Sequence, residues 1–225
     1  MDKNKGGKVL CVGYRDWALD IYRLLLKDNE LKGLEFIIIK SESLINISFI
    51  DSIKPQLILF YGWSNIIQSD IIENYKCLML HPSSLPNFRG GSPIQNQIIR
   101  GVTESEICIF KMSGEIDKGD ILGRKKLDLT GTIPMIFDRM IKQGYALTKF
   151  ILLQKDPKEY KQIGAGSYYQ RRIEAESEIT IDEIKTKNAE YIYNKIRMLT
   201  GPYPPAYIKC FDGSKVIIKD ARLEN

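Results

Sequence analysis

Residues 77–91 read CLMLHPSSLPNFRGG. Four apolar residues lead into His81, and Pro82 stops the run. A short, fully apolar stretch of this kind is the pattern of a strand buried on both faces of a parallel sheet. In such sheets ligands bind beyond the carboxyl ends of the strands, where His81 stands. The loop behind it holds Pro82, Pro86, Gly90 and Gly91, residues that fix a chain in one path. Upstream, residues 8–14 (KVLCVGY), 34–40 (LEFIIIK) and 56–62 (QLILFYG) repeat the strand pattern. Downstream, residues 106–112 and, more weakly, 121–129 continue it. Helical patterns intervene after Asp16, at 92–100 with Ser92 as N-cap and Pro93 first, and at 132–154 with a Thr132 cap. Strands alternating with helices predict an α/β fold with a mainly parallel sheet flanked by helices. After residue 155 come a polar stretch with a double arginine, a helix within 179–199, and a hairpin turning on Asp212 and Gly213. The expected division is a domain over 1–155 and a small extension over 156–225.

The 225 residues are 44% hydrophobic, enough to bury a core. The formal charge is +5, but Lys and Arg are interspersed with Asp and Glu. No dense basic run argues for nucleic acid as a partner. The mild excess is compatible with an anionic small substrate. Cys11, Cys77 and Cys108 sit in apolar runs as small hydrophobes, and Cys210 stands apart. With one histidine and no CxxC, no metal site is expected. No signal peptide and no membrane-spanning stretch is read, which points to the cytoplasm.

Two loops carry chemistry. His81, at a strand's carboxyl end, has the side chain best suited to proton transfer near neutrality, although a lone histidine is more often structural. Residues 113–122 (SGEIDKGDIL) place two glycines and three acids after another strand. They read either as a solvated turn or as an acid held beside a base.

Taken together, His81-Pro82-Ser83, Leu85-Pro86, Arg89-Gly90, Pro93-Ile94-Gln95 and Ile116-Asp117, Gly119-Asp120-Ile121-Leu122 resemble the signature of the folate-dependent formyltransferases. The likeness runs over residues 8–150 and loosely into the tail. It implies a Rossmann-like formyltransferase fold and a formyl transfer from N10-formyltetrahydrofolate to an amine, with no metal. His81 and Asp117 would be the catalytic pair, His81 serving the oxyanion or the amine proton and Asp117 orienting and charging the imidazole. Trp63, Ser64, Ile66, Ile67, Leu80, Gly114, Glu115 and Ile116 would line the folate site. The family's asparagine two residues before the histidine is Met79 here, so a usual oxyanion donor is missing. Another polar group standing in for it is the preferred reading; a contact from the substrate and an impaired chain are the others.

Within that family, Gly13-Tyr14-Arg15-Asp16-Trp17 and Gly62-Trp63-Ser64 resemble the compact sugar N-formyltransferases, as does the segment 201–206. The implied acceptor is a nucleotide-linked amino sugar, for instance a UDP-sugar of pseudaminic-acid or O-antigen biosynthesis. Tyr14, Arg15, Arg89, Gln95 and Tyr203 would be its contacts, with Arg89 alternatively a clamp on its own loop. The single glycine after the first strand disfavours a phosphate-cradling loop there. The tRNA-acting members carry a substantial C-terminal domain, for which the residues after 155 leave little room. A short tRNA formyltransferase-like enzyme and a binding protein without catalysis are the other readings. Residues 191–196 and 216–218 would supply the face of a homodimer, if they are not core.

Overall fold

In the computed structural model, residues 6–224 are described. The expectations that concern residues 1–5 and 225 lie outside them. Ten strands and seven helices are formed by these residues. In chain order they run β1 (Lys8–Val12), α1 (Asp16–Lys27), β2 (Glu35–Ile39), α2 (Ile47–Ile53), β3 (Leu57–Phe60), α3 (Ser69–Asn74) and β4 (Cys77–His81). There follow β5 (Arg89–Gly90), α4 (Pro93–Ile98), β6 (Glu104–Lys111), β7 (Ile121–Asp128) and α5 (Ile133–Leu153). The chain ends with β8 (Tyr168–Tyr169), α6 (Ile181–Thr186), α7 (Ala189–Arg197), β9 (Ala206–Lys209) and β10 (Lys215–Ile218).

Six strands form one sheet in the order β2-β1-β3-β4-β6-β7. The first four are mutually parallel, β6 runs antiparallel to β4, and β7 antiparallel to β6, so that β6 alone runs against the rest. This is the mainly parallel α/β sheet that the apolar runs predict. Period-two alternation splits each strand between two cores. Val9, Cys11, Leu57, Leu59, Leu78 and Leu80 face α1 and α5. Leu10, Val12, Ile58, Phe60 and Cys77 face α2 and α3. At the carboxyl ends of β1 and β3, the buried Tyr22 hydroxyl accepts the Tyr61 N–H and lies 2.9 Å from the carbonyl oxygens of Val12 and Leu59. That one hydroxyl adds to the backbone bond from Tyr61 N–H to Val12 O, bracing the rim on which a site is built.

Two caps depart from expectation. Ser92 does precede α4, but in the left-handed region (φ 50°), and its hydroxyl accepts the Arg172 N–H at 3.1 Å instead of capping the helix. Thr132 precedes α5 without a side-chain cap. The hairpin forms as expected, with Asp212 Oδ1 accepting the Ser214 N–H at 3.0 Å. Beyond residue 155, Ile179, Ile196, Met198, Leu199 and Ala206 belong to the same core as α1 and α5. Ile196 is therefore core, whereas Val216 and Ile217 remain about half exposed. No helix among the described residues is long and apolar enough to cross a membrane.

Candidate active site

His81 closes β4 and is 5% exposed. Its Nε2 lies 2.8 Å from the carbonyl oxygen of Phe88. A carbonyl only accepts, so Nε2 carries a proton in this arrangement. Nδ1 faces Asp117 Oδ2 at 3.4 Å. The loop between His81 and Gly91 is braced by Ser83 Oγ donating to Asn87 O at 2.7 Å and Gln97 Nε2 donating to Pro82 O at 2.8 Å. Asp117 is buried, and its Oδ2 accepts the Gly90 N–H at 2.8 Å. The residues expected to act together are thus brought together. The ring is oriented chiefly by the Phe88 carbonyl, and Asp117 adds a carboxylate at ion-pair distance with its own second tie.

These groups stand on the wall of a cleft of about 1200 Å³. Trp63, Ser64, Ile66, Ile67, Leu80, Gly114, Glu115 and Ile116, expected around a folate, all line it. So do Tyr14, Arg15, Gln95 and Tyr203, expected at an acceptor. Ile66 and Ile116 are 93% and 57% exposed, which puts apolar side chains at the rim. The Lys118 ammonium beside Glu115 holds that carboxyl below its ordinary range. Burial pushes the Tyr203 hydroxyl up.

Arg89 stands apart from the other residues expected at an acceptor. It is not on the cleft wall: its guanidinium donates to Gln162 Oε1 at 3.1 and 2.7 Å and to Ala165 O at 3.4 Å. Three of its five N–H groups are thus engaged within the protein, which suits the clamp on its own loop that the sequence offers as the alternative.

Met79 lines the cleft between its sheet partners Phe60 and Phe110 and packs against two apolar clusters. Two buried donors on the cleft wall have no partner among the described residues, Trp63 Nε1 and Gln95 Nε2. Trp63 belongs to the same apolar cluster as Met79 and meets Tyr14 edge-on at 5.5 Å. A buried N–H left unsatisfied is costly, and the wall of a cleft is where a ligand can satisfy it.

Sequence reading missed Arg171 and Tyr168, which also line the cleft. The double arginine was visible, but nothing local shows that residues 160–172 cross over the His81 loop. They do so through the pairing of β5 with β8, Arg89 against Tyr168 and Gly90 against Tyr169. Among the described residues, no three of His, Cys, Asp and Glu come together as a metal site.

The family model described as Formyl transferase matches residues 40–143. A curated methionyl-tRNA formyltransferase of Bacillus mycoides (strain KBAB4) is 34% identical over 183 residues, 75% of this chain and 57% of that protein. The match thus spans little more than half the length of that relative. The solved structure of a methionyl-tRNA formyltransferase from Clostridium thermocellum is 35% identical, with a TM-score of 0.83 over 94% of this chain and 97% of that one. A sugar N-formyltransferase from Shewanella sp. FDAARGOS_354 shares the fold at 23% identity, with a TM-score of 0.75 over 97% of this chain and 99% of that one.

Proposed function

Because the chain belongs to the folate-dependent formyltransferase family, we propose that it moves a formyl group from N10-formyltetrahydrofolate to the amine of a nucleotide-linked amino sugar. The observation that carries the reading is the His81–Asp117 pair, set by two glycine-bearing loops into one cleft wall. The apolar lip around Trp63, Ile66 and Ile67 suits a flat pteridine. Arg15, Arg171, Tyr203 and Gln95 on the same wall suit an acceptor that carries phosphate.

In the reaction the neutral amine adds to the formyl carbon, and negative charge gathers on the formyl oxygen. A donor aimed at that oxygen lowers the barrier. Nδ1 of His81 is the ring nitrogen without a short internal bond, so it is the one available to donate to that oxygen or to take the amine proton. The Phe88 carbonyl keeps the ring from turning meanwhile. Collapse breaks the bond between the formyl carbon and N10; the amine's proton leaves and N10 gains one. In the place of the missing asparagine we assign the orphaned indole N–H of Trp63 as donor.

A second reading, in which the acceptor is an aminoacylated tRNA, is favoured by the names of the relatives at 34% and 35% identity. Formyl transfer from N10-formyltetrahydrofolate, assayed against UDP-, dTDP- and GDP-linked amino sugars and charged initiator tRNA, separates the two. Turnover on an amino sugar and none on the tRNA is expected. Turnover on the tRNA alone overturns the sugar reading, and folate binding without turnover on any amine makes the chain a binding protein.

A further inference from the structure

The loops that carry His81 and Asp117 are joined side by side by a third segment, which lies outside residues 40–143 matched by the family model. Residues 160–172 are anchored at one end by Tyr160, which exchanges backbone hydrogen bonds with Ile121, and at the other by Arg172, whose N–H meets Ser92 Oγ. Between these anchors lies Gln162. Its Oε1 accepts from Arg89 Nε and Nη2 at 3.1 and 2.7 Å. Its Nε2 donates to Asp117 O at 2.8 Å and Gly119 O at 2.9 Å. One side-chain amide thus uses all four of its hydrogen-bonding positions, two toward each loop.

We infer that Gln162 is a positioning residue that sets the geometry between His81 and Asp117. The residue it grips on one side, Arg89, follows Phe88, whose carbonyl holds the imidazole. On the other side it grips the main chain of Asp117 itself. Both Phe88 (φ 57°) and Asp117 (φ 53°) are non-glycine residues in the left-handed region. Such conformations persist only where the surroundings over-determine them. Ser167, in the same segment, accepts the Phe88 N–H at 2.9 Å and adds to the restraint. The requirement is for an amide in particular. A glutamate at 162 keeps the acceptance from Arg89 but turns a carboxylate toward two carbonyl oxygens, so the Asp117 loop is released while the other stays held.

Because His81 is the only histidine, nitrogen-15 labelling of histidine gives one pair of ring-nitrogen signals. We expect these signals to move in Q162A and Q162E, and turnover to fall about tenfold or more while the KM values for folate and acceptor change less than about threefold. I163A, at a residue 87% exposed, changes neither. Wild-type ring signals and turnover in folded Q162A and Q162E overturn the inference. So does a loss confined to thermal stability. Should Q162A fail to fold, Q162E decides. The turnover measurement rests on the formyl-transfer reading, whereas the ring-nitrogen measurement does not. A wild type that formylates nothing therefore leaves the ring signals to decide the role of Gln162 alone.

Discussion

The imidazole of His81 is tied through Nε2 to the main-chain carbonyl of Phe88, 2.8 Å away and seven residues along the chain. The ring is anchored by a peptide group that neither titrates nor swings, while Nδ1 faces the carboxylate of Asp117 at 3.4 Å. Backbone anchorage of this sort leaves Nδ1 pre-set, so that in the proposed reaction little reorganisation is needed as charge develops. Replacing His81 by Ala is expected to lower turnover by about 100- to 10,000-fold, the usual range for a positioned acid or base. Tetrahydrofolate affinity, measured by titration calorimetry, should change little. Near-normal turnover in H81A defeats the mechanism.

The crossing of residues 160–172 over the His81 loop depends on two glycines. A Cβ on Gly91 would stand 2.3 Å from the backbone nitrogen of Arg171, and one on Gly90 would stand 2.3 Å from the Tyr169 carbonyl oxygen at φ 91°. In both cases the obstacle is backbone. Ala at either position should destabilise the protein by about 2–3 kcal/mol in denaturant melts. Limited proteolysis should then cut within 160–172, where the wild type resists. Unchanged protection in both variants contradicts the close approach.

The parallel sheet was legible because its strands β1 to β4 are short apolar runs, and the His81 and Asp117 loops because glycine, proline and acid cluster after strands. The crossing segment was not legible. Its ties are main-chain pairings such as Gly90 with Tyr169, and the Gln162 amide meeting carbonyls, neither of which leaves a periodic pattern of residue types. Arg89 illustrates the limit from the other side. An arginine in a glycine-rich loop reads as ligand contact or as clamp, and the partner that ties it, Gln162, is too distant in sequence to be seen beside it. The Ser92 cap fails for a related reason: its hydroxyl is claimed by Arg172, 80 residues away.

Thiol reactivity should divide sharply. Burial pushes Cys77 up to about 12 and Cys108 up to about 11, and Cys11 is raised further still. The thiolate is the reactive form, so these three are expected to be inert to iodoacetamide at neutral pH. Cys210 is part-exposed and should take the label in the native protein. Peptide mass spectrometry after a brief exposure checks this. Early labelling of Cys11, Cys77 or Cys108 at a rate matching Cys210 refutes the burial argument.

The carboxyl of Asp28 is held down to about 2, first by Lys149 and then by the Tyr145 hydroxyl. Lys149 Nζ stands 2.9 Å from Asp28 Oδ2, tying the end of α1 to α5. A carboxyl whose folded value is depressed contributes stability above its unfolded value, and that contribution disappears as pH falls through the folded one. The window here runs from the ordinary value of 3.8 down to about 2. Lys149→Met should therefore melt lower than wild type at neutral pH, with the gap closing on acidification and gone near the lower limit. A gap that stays constant down to that pH assigns the effect to packing.

The thioether of Met79 donates no hydrogen bond toward the cleft. Nothing polar flanks that side chain in the sheet, where Phe60 and Phe110 are its partners. The indole N–H of Trp63 lies on the same cleft wall, buried and unpaired. If it serves the formyl oxygen, Trp63→Phe, which keeps the ring bulk and removes the N–H, should lower turnover by about 10- to 100-fold, toward the loss seen for a single oxyanion donor. Putting Asn at Met79 in the W63F background should recover most of that loss, because the carboxamide then donates from the family's usual position. In the wild-type background the same Met79→Asn change should gain much less, since a donor is already in place. The sign of the coupling between the two substitutions is decisive. A full-sized gain from M79N in both backgrounds shows that Trp63 contributes no donor and that the chain works without one.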